Sequence, residues 1–285
     1  MKIRITADST CDLSPELIEK YNVKIMPLFV SLGSDNMLDG IGITPQDIYD
    51  YYANTKMLPK TGARSVEDYR DFYLQTLAEG YDGIVHFVIS SDMSVSYNNA
   101  AKGAEGLNVF VVDSRNLSTG IGLLVLDACD AAAAGKTAKE IAERAEKRTG
   151  AVQASFVLES LEFLYKGGRC SALAYLGANL MGIKPIILVK DGKMGVYKKL
   201  IGRYRRCVRN YVNVMHEDFV NPDKKRVFVT HTKMDDGIVD EVIEMVRSWG
   251  IFDEVLDTTA GCTVTTHCGA NTIGVLFIND GGVEL

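Results

Sequence analysis

The sequence predicts an α/β protein made of two domains, 1–150 and 151–285. Short β-rich runs alternate with helical patterns in the first part, and this βαβα order implies a parallel sheet sandwiched between helices. After residue 150 the pattern changes to strands that include a hairpin, which indicates a second α/β unit. No repeat or low-complexity linker separates the two parts, so we expect them to pack directly and to leave a crevice between them.

In the first domain, hydrophobic periodicity and capping residues define the elements. We expect its strands near 2–7, 24–30, 83–89 and 108–113. The expected helices lie near 15–21, 45–54, 66–79, 96–105 and 119–134. Ser14 before Pro15 forms an N-cap and first-turn pair, and Ser65 with Asp68 is close to a capping box.

A charged helix near 137–149 leads into the second domain. We expect strands there near 153–158, 183–189, 193–198 and 226–231, followed by closing strands. Two longer helices are expected near 202–219 and 235–248. Asp191-Gly192 is typical of a tight hairpin turn between the second and third of these strands.

Composition is typical of a globular protein of the cytoplasm. With 285 residues, 47% of them hydrophobic, the chain can bury a large core. The first residues lack the apolar run of a signal peptide, and no apolar stretch reaches the roughly 18 residues of a membrane span. The six cysteines show no C-x-x-C spacing, so we expect free thiols and no metal site. We therefore expect no stable membrane insertion.

One window is basic although the net charge of the chain is −6. Its cations, interrupted only by Asp191, are Lys190, Lys193, Lys198, Lys199, Arg203, Arg205, Arg206 and Arg209. Three interpretations stay open: a solvated face, which we favour, a docking surface for an acidic or phosphorylated partner, and a nucleic-acid surface. Because the overall charge is negative, we predict no nucleic-acid partner.

The common catalytic motifs are missing from the sequence. Gly135-Lys136-Thr137 resembles the end of a P-loop, but Asp130 replaces the first glycine and the preceding segment is helical. No G-x-S-x-G, no G-x-G-x-x-G after a strand and no H-E-x-x-H is present. We therefore expect neither a catalytic residue nor a cofactor.

Polar residues gather at the predicted strand ends. They are Asp8-Ser9-Thr10, Thr61-Gly62 in a loop before a helix, the segment 90–94, and Asp113-Ser114. The carboxyl ends of strands form the ligand crevice of an open α/β sheet. Each of these residues alone could be a helix N-cap, but capping does not require several of them to converge at one edge.

His267 is the candidate functional histidine. It lies in Thr-Thr-His-Cys-Gly-Ala-Asn-Thr-Ile-Gly at 265–274, which we interpret as a glycine-broken turn between an extended run and an apolar strand at 275–278. The unperturbed pKa of histidine lies near neutrality, and loops at strand edges often hold ligands.

Seven segments, in order along nearly the whole chain, carry a family pattern. They are Asp8-Ser9 with Asp12-Leu13, Pro27-Leu28, Asp39-Gly40, Ile89-Ser90-Ser91 to Tyr97, Lys166-Gly167-Gly168-Arg169, Ile183-Lys184-Pro185 and Thr266-His267-Cys268-Gly269. Together they resemble the DegV family of bacterial fatty-acid-binding proteins. Some members of that family serve as the acyl-carrying subunit of fatty acid kinase.

The resemblance implies a fold and a ligand. The fold is an N-terminal three-layer α/β/α domain with a parallel sheet and a C-terminal two-layer α/β domain with a mixed sheet. A long-chain fatty acid would lie between the domains, and a separate ATP-dependent kinase subunit would phosphorylate its carboxylate. The ligand-binding residues that the resemblance implies are Thr61, Gly62, Ser91, Ser94 and His267. Arg169 would lie near the pocket mouth and serve the partner or phosphoryl transfer.

The chemistry of these residues agrees with the implied site. Hydroxyl donors orient a carboxylate without forming an ion pair, which leaves one oxygen available to attack a phosphoryl donor. A protonated His267 would strengthen this grip, and Arg169 could stabilise charge on the transferring group. The chain differs from the family at Val95, where a glycine is common.

Burial of the acyl chain would supply most of the binding free energy. At about 0.8 kcal/mol per methylene, roughly sixteen carbons offer on the order of 10 kcal/mol before ordering costs. Apolar residues that could line a tunnel, or that could equally be ordinary core, are Leu173, Leu176, Leu180, Met181, Ile186, Ile187 and Leu276.

The alternative belongs to another class of protein. It is an autonomous hydrolase or phosphotransferase that acts on a small anion, with His267 as base and a nearby serine or aspartate as nucleophile. Such an enzyme needs a small polar pocket, whereas a fatty-acid carrier needs a long apolar one, so the shape of the cavity separates the two.

Overall fold

The computed structural model describes residues 1–170 and 182–284. Within these residues the chain forms a four-stranded parallel sheet, a three-stranded antiparallel sheet and a seven-stranded mixed sheet. The predicted α/β class, with one parallel and one mixed sheet, is confirmed. The antiparallel sheet was not expected from the sequence.

The strands before residue 150 build the parallel and antiparallel sheets. In chain order they are β1 (Ile3–Asp8), β2 (Lys24–Met26), β3 (Phe29–Leu32), β4 (Asp35–Leu38), β5 (Lys60–Gly62), β6 (Gly83–Val88) and β7 (Val109–Asp113). The parallel sheet has the order β2-β1-β6-β7, and the antiparallel sheet has the order β4-β3-β5. The helices of this part are α1 (Pro15–Lys20), α2 (Pro45–Thr55), α3 (Val66–Ala78), α4 (Ser96–Gly103), α5 (Thr119–Ala133) and α6 (Ala138–Arg148).

The strands after residue 150 all belong to the mixed sheet. They are β8 (Val152–Gln153), β9 (Ser155–Leu158), β10 (Ile183–Lys190), β11 (Lys193–Ile201), β12 (Arg226–His231), β13 (Glu254–Thr259) and β14 (Thr272–Ile278). Their order is β11-β10-β9-β14-β12-β13, with β8 beside β14. The helices are α7 (Glu162–Gly167), α8 (Tyr204–Asp218), α9 (Asp236–Ser248) and α10 (Cys262–Cys268).

Helix α5 is the element on which the two parts of the chain pack. It contacts β1 on one side and β14 on the other, and nearly all of its residues are buried. The core around it continues from Ile5 and Ala7 in the parallel sheet to Phe228 and Leu276 in the mixed sheet. One apolar core therefore crosses the seam, the zone where the two parts of the chain meet. The opposite face of the mixed sheet is covered by α8 and α9.

The predicted strand at 24–30 was wrong because Pro27 divides it. Proline has no backbone N–H to donate to a sheet, so β2 ends at Met26 in the parallel sheet. The chain then turns, and β3 pairs with β4 and β5 instead. Consequently Thr61 and Gly62, expected in a loop, lie on the short strand β5.

Helix lengths also bear on membranes. None of the helices in the described ranges combines the length and the apolar character that crossing a bilayer requires.

Candidate functional site

A central cavity of about 450 Å³ opens where the two parts of the chain meet. Its walls include the segment that follows β6, one end of β5, and parts of α7 and α10. This position, beyond the carboxyl end of a parallel strand, is where ligands bind in open α/β sheets. All six residues singled out from the sequence line this cavity: Thr61, Gly62, Ser91, Ser94, Arg169 and His267.

The pair Thr61 and His267 joins the two parts of the chain. The distance from Thr61 Oγ1 to His267 Nε2 is 2.9 Å. Nδ1 of the same ring is buried and has no hydrogen-bond partner among the described residues. It lies against Gly167, where an added Cβ would be only 2.5 Å from Nδ1. Glycine at this position therefore lets α7 approach the imidazole.

The imidazole of His267 is neutral near pH 7. Burial, and then the nearby Arg169 guanidinium, lower its pKa to about 4. Burial therefore disfavours, in the ligand-free protein, the protonated ring considered from the sequence. A neutral ring still donates one hydrogen bond and accepts another, and the Thr61 hydroxyl can take either role.

His267 lies on a helix and not in the predicted turn after an extended run. The β-branched run Thr263-Val264-Thr265-Thr266 favours a strand by itself. Tertiary hydrogen bonds override that preference and fix the N-terminus of α10. The Asp39 carboxylate accepts from the amides of Cys262 and Thr263 at 2.8 and 3.2 Å.

Asp12 provides a second anchor for the same helix. Its Oδ1 accepts from the amide of Gly261 at 2.9 Å, and its Oδ2 accepts from the Ser118 hydroxyl at 2.6 Å. Both aspartates come from the first part of the chain, so that part positions the helix that carries His267.

Ser94 and Ser91 stand on the segment after β6. Ser94 Oγ lies 2.9 Å from Ser96 Oγ and accepts from the Ser96 amide, at the start of α4. Ser91 Oγ accepts from Arg115 Nη1 at 3.0 Å. A hydroxyl that accepts one bond can still donate another, so Ser91 retains a proton for a ligand, and Ser94 does so when Ser96 is the donor of their shared bond.

Arg115 ties this serine-bearing segment to the mixed sheet. It forms an ion pair with Asp92 at 2.6 Å and donates to the carbonyl of Asp191 in the β10–β11 turn. The Ser90 hydroxyl donates to the carbonyl of Gly192 at 2.7 Å. Residues from both parts of the chain therefore fix the segment after β6 in the cavity wall.

Arg169 lies between the central cavity and a second one. Its Nη1 donates to the carbonyl of Gly167 at 2.7 Å. The second cavity, called the outer cavity below, has a volume of about 400 Å³ and is lined by Leu58, Pro59, Lys60, Thr61, Lys166, Gly167, Arg169, Thr266 and His267. Thr61, Arg169 and His267 thus face both cavities.

A small apolar void of about 30 Å³ continues the central cavity into the core. Leu117, Val264 and Cys268 line both spaces. The far wall of the void includes Phe156 and Leu276. The open space is thus a roomy chamber with a narrow extension.

The seven apolar residues considered for a tunnel lie in different places. Leu276 is buried in the core and also lines the apolar void. Ile186 and Ile187 are fully buried in the hydrophobic cores and are not among the lining residues of the cavities just described. Leu173, Leu176, Leu180 and Met181 lie outside the described residues.

Sequence reasoning missed the roles of Asp12, Asp39 and Arg115. The first two belong to quoted family segments, Asp12-Leu13 and Asp39-Gly40, but nothing in their spacing indicates that they cap a helix more than 200 residues later. Arg115 belongs to no motif, and its φ of 53° lies in the left-handed region that few non-glycine residues adopt.

About half of the basic window is neutralised within the fold. Arg205 and Arg209 contact Glu241, Lys198 contacts Asp218, and Lys193 lies 3.5 Å from Asp92. These long-range acids favour the solvated-face interpretation over a continuous docking surface.

The geometry gives little support to the autonomous enzyme. A histidine base is normally oriented by an acceptor on its second ring nitrogen. Among the described residues no carboxylate occupies that position next to Nδ1 of His267. Nor do those residues contain a cluster of three or more histidine, cysteine or acidic groups that could hold a metal ion.

We predict that Asp12→Asn changes how stability depends on pH. Burial raises the pKa of Asp12 to about 8, despite its hydrogen bonds from Ser118 and Gly261. A raised pKa in the folded protein contributes stability that is complete below about pH 4 and is lost as the pH rises towards about 8. The asparagine variant lacks this loss. The free energy of unfolding of the variant minus that of the wild type should therefore increase with pH, by at most about 1.4 kcal/mol per pH unit.

Thermal unfolding followed by circular dichroism from pH 4 to 8 measures this difference. Asp35→Asn, at an exposed position on β4, is the matched control and should show no such trend. A constant difference between wild type and Asp12→Asn across that range would mean that Asp12 stays ionised in the folded protein.

Comparison with known proteins gives matches along the whole chain. A model of the DegV family, described as uncharacterised, matches residues 2–280. A DegV domain-containing protein from Clostridium acetobutylicum is 30% identical over 282 residues, which cover 97% of this chain and 98% of that protein. A protein from Thermotoga maritima named fatty acid-binding protein is 28% identical over 281 residues, covering 96% of each chain.

Solved structures resemble the fold over the same length. A DegV family protein from Thermus thermophilus, described by its fatty acid binding, has a TM-score of 0.88 at 25% identity and covers 98% of this chain and 100% of its own. A stearic acid-binding protein from Eubacterium ventriosum has a TM-score of 0.84 at 27% identity, covering 98% and 99%. Sequence and fold thus point to the same relatives.

Proposed function

Because this chain belongs to the DegV family, we propose that it binds a long-chain fatty acid across the seam and carries it as a non-catalytic lipid-binding protein. The observation that carries this proposal is the central cavity, where Thr61, Ser94 and His267 line one chamber that extends into an apolar void. Its volume of about 450 Å³ lies within the range of small-molecule sites. The fatty acid is a ligand, and the proposal requires no cofactor.

The carboxylate binds among hydroxyls and a neutral imidazole. The Thr61 and Ser94 hydroxyls donate to it, and Gly62 and Ser91 complete the wall around it. His267 lies beside the carboxylate and donates its single N–H, on Nε2, to Thr61, which leaves the Thr61 proton free for the ligand. Such neutral donors orient a carboxylate without neutralising its charge. One oxygen consequently keeps enough electron density to act as a nucleophile.

The acyl chain leaves the head group between Leu117, Val264 and Cys268. These three side chains separate the chamber from the apolar void, so the methylenes pass them to reach Phe156 and Leu276. Each methylene that is transferred from water contributes about 0.8 kcal/mol. A polar substrate would gain nothing from this path, which favours a lipid over a small anion.

The partner in this proposal is a separate ATP-dependent kinase, and the two meet in the cytoplasm. A carboxylate oxygen attacks the terminal phosphorus of ATP, the bond from that phosphorus to the bridging oxygen breaks, and ADP leaves with the electron pair. The product is an acyl phosphate. The chain itself has no sequence motif for nucleotide binding, so the donor arrives on the partner.

Native mass spectrometry of the protein purified from bacteria tests the lipid ligand. The intact complex should exceed the denatured chain by the mass of a fatty acid, and organic extraction should release that acid. If the two masses agree and extraction yields no fatty acid, the proposed function fails.

Variants of the head-group residues test the assigned roles. Thr61→Ala and Ser94→Ala should each weaken fatty-acid binding about tenfold or more, because each removes a hydrogen bond to a charged group. Arg169→Ala should leave binding near wild type and should impair phosphorylation by the kinase, since Arg169 lies where the central and outer cavities join.

Binding is measured by titration of a fluorescent fatty acid, and phosphorylation by transfer of labelled phosphate. Thr55→Ala is the matched control, because Thr55 is exposed on α2 and does not line the cavity. Equal losses of binding and phosphorylation in Arg169→Ala would contradict the division of roles.

A further inference from the structure

We propose that the outer cavity binds the phosphate chain of the phosphoryl donor, with Lys60 and Lys166 as anion ligands beside Arg169. This inference rests on the proposed function, because it adds a second ligand to the same site. The outer cavity has room for such a group, with a volume of about 400 Å³. It shares Thr61, Arg169 and His267 with the central cavity.

The two cavities meet at the head-group residues, because Thr61, Arg169 and His267 line both. A carboxylate held by Thr61 beside His267 in the central cavity is therefore adjacent to whatever fills the outer cavity. The Thr61–His267 hydrogen bond, 2.9 Å long, lies in this shared wall together with Arg169.

The charges of the outer cavity favour a polyanion. Lys60, Lys166 and Arg169 line it, and none of its lining residues in the described part of the chain is acidic. The whole chain has a net charge of −6, so this concentration of cations runs against the overall charge. His267 is neutral and does not offset or add to them. Lysine and arginine are the usual ligands of phosphate oxygens.

Lys60 differs from Lys166 in that no acidic partner among the described residues explains its presence. Lys166 forms an ion pair with Glu162 at 2.7 Å, one turn earlier on α7, which already explains its presence. Lys60 is exposed, sits next to Thr61 on β5, and forms no ion pair with the residues that the structure describes. A phosphate in the outer cavity would give it a partner.

The arrangement suits the transfer reaction. The carboxylate oxygen is the nucleophile, the terminal phosphorus of the donor is the electrophile, and the leaving group is the diphosphate of ADP. Cations around the phosphate oxygens stabilise the charge that develops on them. This protein thus supplies cations that bind the phosphate oxygens, and the kinase brings the nucleotide.

Two molecules carry a phosphoryl group that would fit the outer cavity: the phosphoryl donor and the acyl phosphate product. Both present a terminal phosphate with several anionic oxygens, and two titrations separate them. In the first, tripolyphosphate, which mimics the donor, is added to the fatty-acid-loaded protein. In the second, a long-chain acyl phosphonate, which mimics the product, is added to the lipid-free protein. Both are followed by the ring signals of His267 in NMR spectra.

We expect tripolyphosphate to shift the His267 signals and to raise the pKa of the ring, because a nearby anion favours the charged imidazole. Lys60→Gln should weaken tripolyphosphate binding about threefold to fivefold, the effect of one exposed ion pair. Lys102→Gln is the matched control, since Lys102 is an exposed lysine on α4 that does not line the outer cavity. A Lys60 effect on the phosphonate alone would assign the cavity to the product.

Two results would overturn the inference. One is that neither probe moves the His267 signals, and the other is that Lys60→Gln binds both probes as tightly as wild type. Native mass spectra of the same samples report the fatty acid independently. If lipid is absent but tripolyphosphate still binds through Lys60, the anion site stands and the fatty-acid proposal fails.

Discussion

Replacing Val264 with tryptophan is expected to abolish the binding of long-chain fatty acids and to spare short ones. Val264 is 9% exposed and lines both the central cavity and the apolar void. An indole there would fill the path between them while leaving Thr61 and Ser94 free for the carboxylate. Each methylene that the indole excludes costs about 0.8 kcal/mol, or roughly fourfold in affinity, so the loss grows with the length of the acid.

The measurement is a comparison of acids with eight and sixteen carbons by isothermal titration calorimetry. Val264→Ala is the matched control, because it leaves the path open and should keep the preference for the longer acid. Circular dichroism checks that both variants are folded. A folded Val264→Trp protein that binds the sixteen-carbon acid like wild type would show that the acyl chain takes another route.

The second large effect is expected for Arg148→Met, which should lower the free energy of unfolding by about 3–5 kcal/mol. Arg148 is only 2% exposed, yet it contacts three carboxylates, those of Asp127, Asp223 and Asp280, at 2.6–2.9 Å. Without the guanidinium these acids would repel one another in a partly desolvated site. Because Asp223 and Asp280 flank strands of the mixed sheet, the variant also loosens the attachment of α6 to that sheet.

Urea unfolding, followed by the fluorescence of the single tryptophan, Trp249, measures the loss. Arg247→Met is the matched control: Arg247 is exposed and pairs with Glu244 on one helix, so its loss should cost less than about 1 kcal/mol. Burial alone raises the pKa of Asp280, but its bonds to Arg148 lower it overall, so this stabilisation should fade as the pH falls through that pKa. A loss as small as that of the control would contradict the prediction.

Helices with local signals were predicted well from the sequence. The predicted helices at 15–21 and 66–79 were confirmed as Pro15–Lys20 and Val66–Ala78, and each starts at the serine cap that was identified. The Asp191-Gly192 hairpin also appears, between β10 and β11. In these places the information lies within a few residues, so sequence patterns suffice.

Features that depend on distant partners could not be predicted. The antiparallel sheet β4-β3-β5 joins residues 29–38 to residues 60–62, and its strands are too short to show a clear alternation. The helix α10 contradicts its own β-branched composition because Asp12 and Asp39 cap it from far along the chain. Glu241 and Asp218 neutralise part of the basic window in the same long-range way.

The candidate site could be predicted from the sequence only in part. Hydroxyls at strand ends and one histidine could be noted from the sequence, the family resemblance implied the full set of six residues, and all six line one cavity. Their hydrogen bonds could not be anticipated, since the Thr61–His267 contact and the Ser91–Arg115 contact follow from how the two parts of the chain pack. The neutral state of His267 likewise results from burial that no local pattern records.

The anchoring of α10 has a thermodynamic consequence. The helix belongs to one part of the chain, but Asp12, Asp39 and Thr61 of the other part hold both of its ends. Ligand binding in the central cavity and association of the two parts of the chain are therefore linked equilibria. A ligand that contacts both walls of the central cavity would strengthen the association of the two parts of the chain, and a change that separates the two parts would weaken its binding to the same degree.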